Sequence, residues 1–166
     1  TLDGGAGTII AAKPFSFTDH ATALDQVRLQ LGDGGDLQIL HDSNHSYIKN
    51  YTGDLYIENF ADDKDIIFKS DDGSGGVTAY LTLDGSATTI NVAKSMIYAD
   101  SVAAYFGAGL DLEINSNGSS SSITGRVGDL TIGCSTDDGD IIFQSDDGSG
   151  GVKTYLYLDG STGGYV

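Results

Sequence analysis

Residues 65–86, DIIFKSDDGSGGVTAYLTLDGS, return 75 positions later at 140–161 as DIIFQSDDGSGGVKTYLYLDGS, identical at 18 of 22 places. So close an internal echo restricts the fold to copies of one structural unit, and the unit must be read before any motif inside it. The match runs without a gap over 31–86 and 106–161, with 31 identities in 56 positions. Residues 1–13, TLDGGAGTIIAAK, also match 82–94, TLDGSATTINVAK, at nine of thirteen places. The chain thus opens inside one unit, which is the expectation for a piece of a longer polypeptide. This reading puts the end of a preceding repeat plus a connector at 1–30, one unit with its connector at 31–105, and a second unit at 106–166.

Within the unit, short alternating segments recur about every ten residues, at 36–39, 46–49, 54–58, 65–69 and 79–83. Gly, Asp, Asn or Ser bounds each of them, so period two with regular turn signals predicts an all-β array. The aligned copies then separate two faces. Leu37/Leu112, Ile39/Ile114, Leu55/Leu130, Ile57/Ile132, Ile66/Ile141 and Phe68/Phe143 are unchanged, while Gln38/Glu113, Tyr47/Ser122, Tyr56/Thr131 and Thr82/Tyr157 vary. Side chains alternate across a strand, so one face is expected to be held for packing and the other to be free. The Ala-rich connector 92–105, VAKSMIYADSVAAY, fits a short helix or another strand.

Ten aliphatic side chains per unit, at ~1.5–3 kcal/mol each, do not by themselves offset the ordering of 75 residues at ~1–2 kcal/mol each. The expected fold is therefore an elongated repeat array of short strands, β-helix-like or β-prism-like, in an intertwined homotrimer whose chains share the core. A single-chain β-solenoid is the alternative.

A net charge of −16 argues against nucleic acid and against an anionic membrane surface, since both need Lys and Arg. No apolar run approaches the ~20 residues that span a bilayer. The lone Cys134, aligned with Asn59, excludes an intrachain disulfide and reads as an incidental thiol.

The loops 70–76 and 145–151, SDDGSGG, offer two readings. Clustered carboxylates and Gly turns suit Ca²⁺; a tight turn in which Asp caps the backbone and Gly takes positive φ explains them more simply. Asp62–Asp63 and Asp137–Asp138 read the same way. The Leu-Asp-Gly corner at 2–4, 83–85 and 158–160 is expected to be an Asp-capped turn with a left-handed Gly. His41 and His45, in HDSNH, are replaced by Ser116 and Ser120, and His20 is isolated, so all three read as surface histidines rather than metal ligands. Tyr47, Tyr51 and Tyr56 are expected to face outward, where an aromatic can stack on a sugar ring or a partner chain. No nucleophile elbow or phosphate-binding loop stands out, so the expectation is no catalysis, no catalytic or metal-site residue and no cofactor.

Residues 31–58, LGDGGDLQILHDSNHSYIKNYTGDLYIE, followed by the SDDGSGG and LDG segments, resemble the repeats of tail-fibre and other virion structural proteins of marine bacteriophages. The second copy departs from this pattern where ILHDSNHSYI becomes INSNGSSSSI at 114–123. The resemblance implies a trimeric, β-rich fibre on a phage particle, with other virion proteins as partners and a separate receptor-binding tip. The function expected is a stiff, non-catalytic shaft segment for host attachment. A carbohydrate-binding adhesion module and a non-viral extracellular filament are the alternatives.

Overall fold

A computed structural model describes residues 22–162 of the chain. Residues 1–13, the Leu-Asp-Gly corner at 2–4 and His20 lie outside them. The described chain is all-β: eleven strands, one 3₁₀ turn at Gly160–Thr162, and no α-helix. Its contacts divide it into two units, Thr1–Asn91 and Val92–Val166.

In the first unit β1 (Arg28–Leu31), β2 (Leu37–His41) and β3 (Ser46–Asn50) form one three-stranded antiparallel sheet. A second contains β4 (Ile66–Asp71), β5 (Val77–Asp84) and β6 (Thr89–Val92). The following unit repeats the plan with β7 (Ala104–Phe106), β8 (Leu112–Ser116) and β9 (Ser121–Gly125), then β10 (Ile141–Asp146) and β11 (Val152–Leu158). Strands β2, β3 and β4 reappear 75 residues on with identical bounds, as β8, β9 and β10.

Four of the five expected strands of the first unit form, each shifted by no more than two residues at either end. Residues 54–58 do not: GDLYIE joins no sheet, and neither does its copy at 129–133. Alternation records that a segment is built to pair, not that a partner lies in the same chain. Two short strands, β1 and β6, lie outside the expected segments, and the connector 92–105 forms a strand only at its end, in β7. The connector after β6 is neither helix nor continuous strand; it runs irregularly, turns at Asp100–Ser101 and enters β7 at Ala104.

Each β4–β5-type hairpin carries a bulge. Phe68 faces Leu81 and Lys69 faces Ala79, leaving Tyr80 as the extra residue; Tyr155 is its counterpart between Leu156 and Thr154. Their hydroxyls donate to the Asp71 and Asp146 carbonyl oxygens, both at 2.9 Å. A bulge that unpairs one residue and is fastened by its own side chain is a built feature of the unit.

The tight turn between β2 and β3 is closed by the Asp42 amide donating to the His45 carbonyl at 3.0 Å, and its copy by Asn117 and Ser120 at 3.1 Å. Its second residue is Ser43 at φ 82° in one copy and Gly118 at φ 84° in the other. Left-handed backbone costs a residue with a Cβ about 1–2 kcal/mol, partly offset by the entropy that Gly gives up. Ser43→Gly is therefore expected to stabilise the protein by about 0.5–1 kcal/mol, read as a rise in melting temperature of a few degrees. Gly118→Ser is expected to do the reverse, since its Cβ would stand 2.7 Å from an Asp100 carboxylate oxygen.

Candidate functional site

The register fixes which side chains share a face. Leu29 pairs with Ile39 and Ile39 with Ile48, while Leu31 pairs with Leu37, so these five form one apolar patch on the first sheet. In the second unit the same places hold Ala104, Phe106, Leu112, Ile114 and Ile123. Ile66, Phe68, Leu81 and Leu83 make the corresponding patch on the β4–β5 hairpin.

These faces were expected to pack, yet they are open. Ile39 is 45% exposed and Ile48 60%, and among the described residues no hydrophobic side chain is buried. Beside each patch lies an open groove, built from residues 75 apart. The first, about 340 Å³, is bordered by Leu29, His41 and Tyr47; the second, about 550 Å³, by Ala104, Ser116 and Ser122.

Of the face expected to be free, Tyr56 and Tyr157 are exposed, whereas Gln38 and Glu113 are engaged. Gln38 is the one side chain buried among the described residues, at 8% exposure. It donates to the Gly35 carbonyl at 3.1 Å and accepts from Arg28 Nη1 at 3.4 Å. Its counterpart Glu113 accepts from Arg126 Nε at 3.0 Å, pairs with Arg126 Nη2, and accepts from Asn115 at 3.0 Å. The Arg126 guanidinium, held above its ordinary pKa by Glu113, also lies 5.7 Å from the centre of the Tyr105 ring. Gln38 and Glu113 differ because their partners differ with them. Drift on this face reflects a rewired polar network, which a single substitution pattern cannot distinguish from free surface.

Both SDDGSGG loops turn their carboxylates inward on their own backbone. Asp72 Oδ1 accepts from the Ser74 amide at 2.8 Å, the Ser74 hydroxyl at 2.7 Å and the Gly76 amide at 3.1 Å. Asp147 repeats all three bonds with Ser149 and Gly151. Asp71 and Asp146 accept from the amides of Gly73 and Gly148. Asp63 and Asp138 occupy left-handed positions, at φ 55° and 57°, in turns closed by Ala61–Lys64 and Thr136–Gly139. Among the described residues no three His, Cys, Asp or Glu converge as a metal site.

The Leu-Asp-Gly corner is an Asp-capped turn, as expected. Asp84 Oδ1 accepts from the Ser86 and Ala87 amides at 3.1 and 2.9 Å, and Asp159 from the Ser161 amide at 2.9 Å. Its Gly serves a different purpose from the one expected, since neither Gly85 nor Gly160 has positive φ. A Cβ on Gly85 would collide with the Lys64 carbonyl oxygen, and one on Gly160 with that of Gly139. Two chain segments pass there with no room for a side chain. The contact is tied by the Gly85 amide donating to Asp65 Oδ1 at 3.1 Å and by Gly160 to Asp140 at 3.0 Å.

His41 and His45 each have a local partner. His41 Nδ1 lies 3.2 Å from the Ser46 hydroxyl, and His45 Nδ1 lies 3.7 Å from Asp42. Tyr47 is not a free platform: its hydroxyl donates to Asp42 Oδ2 at 2.8 Å and Lys49 Nζ sits 4.3 Å from its ring centre. Tyr51 and Tyr56 are exposed, and so is the Cys134 thiol.

These caps make the turns acid-sensitive. The Ser74 hydroxyl, then the Ser74 and Gly76 amides, hold Asp72 below its ordinary pKa, and Ser149 and Gly151 do the same for Asp147. The Ala87 amide leads for Asp84, the Ser161 hydroxyl for Asp159 and the His45 amide for Asp42. A carboxyl with a depressed native pKa contributes stability that is present above about pH 4 and lost as pH falls through the native value. In an acid titration followed by circular dichroism, the double variant Asp72→Asn/Asp147→Asn is expected to lose less stability below pH 4 than the parent. Its amide oxygens can still accept, but they take up no proton. Asn117 in place of Asp42 is the same exchange already present in the chain.

No family model, curated protein or solved structure matches this chain.

Proposed function

We propose that the chain is a shaft segment of a fibre, a non-catalytic spacer in which three copies share the core that one copy lacks. A phage tail fibre or similar virion appendage is the setting, with neighbouring virion proteins at its ends. The observation that carries this reading is the pair of retained apolar faces left open in both units. A segment that keeps Ile39/Ile114 and Phe68/Phe143 while exposing them is built to be covered. Open apolar patches recur on the three-stranded sheet of each unit and on the β4–β5 hairpin, which suits contacts with more than one neighbour. The patches carry no charge, so chains of net charge −16 can meet there at least electrostatic cost.

Light scattering is expected to give three times the 17.2 kDa of one chain. A monomer would remove the shaft reading. A host-adhesion module is the second reading, favoured by the exposed Tyr51 and Tyr56. It requires a glycan whose binding falls when Tyr56 is replaced by Ala.

A further inference from the structure

We propose that residues 54–58 and 129–133 are donor strands, each adding to an open sheet edge of a second copy of this chain. The inference rests on the self-assembly reading above and specifies how the copies join.

The sequence of both segments is that of a strand. Leu55 and Ile57 recur as Leu130 and Ile132, while the intervening Tyr56 becomes Thr131 and the flanking Glu58 becomes Gly133. This is the period-two pattern that forms ladders at 37–41, 46–50 and 66–71. In the single chain neither segment has a ladder. Residues 54–58 and 129–133 run without a turn or bend, and among the described residues no backbone hydrogen bond joins them to another segment. Leu55 is 48% exposed and Ile57 59%, and their twins are as open. Two copies of a motif, diverged elsewhere, thus keep the same apolar residues where the described chain leaves them about half exposed.

The complement is also present. Each segment lies between two edge strands, β3 and β4 in one unit and β9 and β10 in the next, and each of these has one side without a neighbour among the described strands. An extended segment with unpaired N–H and C=O groups and an edge with the same need are the two halves of strand addition. The occupant is another copy rather than an unrelated protein because donor and acceptor recur together at the same 75-residue period. A chain repeating both presents matched sites to itself along its length.

The test is hydrogen–deuterium exchange on the intact wild-type chain, read by mass spectrometry on peptides spanning 54–58 and 129–133, with light scattering on the same sample. In the assembled protein these amides are expected to exchange at least ~100-fold more slowly than free peptide, comparably to the β2–β3 hairpin. Protection is expected to disappear on dilution to monomer. An assembled protein in which both peptides exchange within about tenfold of the free rate overturns the donor strands and leaves the shared core standing. A monomer at all concentrations overturns both. Protection that persists in a monomer would place the partner within the chain and overturn the inference as well.

Discussion

Ile39→Asp is expected to dissociate the protein and lower its melting temperature by about 10 °C or more, although Ile39 is nearly half exposed in one chain. A charge added at ordinary surface changes stability by no more than about 0.5 kcal/mol. If copies cover the Leu29–Ile39–Ile48 patch, each added carboxylate is buried without a partner at a cost of several kcal/mol, of which about 3 kcal/mol or more per chain should appear in unfolding. Ile114→Asp, its twin, is expected to behave alike. Sedimentation or light scattering of the variants, beside a thermal melt at two concentrations, reads both consequences. Parent melting temperature should rise with concentration, because association stabilises only the folded state. A variant that keeps its mass and melts within a degree or two of the parent would show that the patch faces water in the working protein.

Gly85→Ala and Gly160→Ala are expected to be the most damaging single-methyl changes in the chain, at about 3 kcal/mol each. The added Cβ meets a backbone carbonyl rather than a movable side chain, so relief requires the β4–β5 or β10–β11 hairpin to open at its base. Opening also stretches the bonds from Gly85 to Asp65 and from Gly160 to Asp140, twenty residues apart in each case. Thermal melts of the two variants check this. An effect below about 1 kcal/mol would mean the segments separate easily and the close approach does not hold the hairpin.

Much of the fold was legible because period two is a direct image of the pleat. Ser46 to Lys49 and Ile66 to Lys69 could be placed almost to the residue from alternation and flanking turn chemistry alone. The Asp caps were legible for a similar reason, since an Asp followed by Ser or Gly bonds its own downstream amides whatever surrounds it. Three things were not. Alternation at Leu55 and Ile57 says nothing about which chain supplies the partner strand. Tyr80 looked like one more alternating residue, although its identity with Tyr155 on a face that otherwise drifts was a usable sign of the bulge. Gly85 looked like a left-handed glycine because close approach and positive φ select the same residue. The Gln38 network stayed hidden for a different reason: its cations come from Arg28 in one unit and Arg126 in the other, at positions that do not align.

Duplication also creates an error that a single unit cannot make. Two copies displaced by 75 residues would still present strand to strand and apolar face to apolar face, with one unit left over at each end. If copies share their faces as proposed, such slippage would turn a closed bundle into an open-ended, polydisperse polymer. The two faces are not interchangeable, however. Leu29 and Leu31 of the first become Ala104 and Phe106 of the second, a loss of bulk at one place and a gain two residues away. In a slipped pair Leu29 and Leu31 would take the places of Ala104 and Phe106, and the side-chain volumes would no longer match. Exchanging the pairs, as Ala104→Leu with Phe106→Leu, would make the units alike, and size-exclusion chromatography should then show a broadened distribution of masses. The small differences between the copies act as a phase mark along a chain that otherwise reads the same twice.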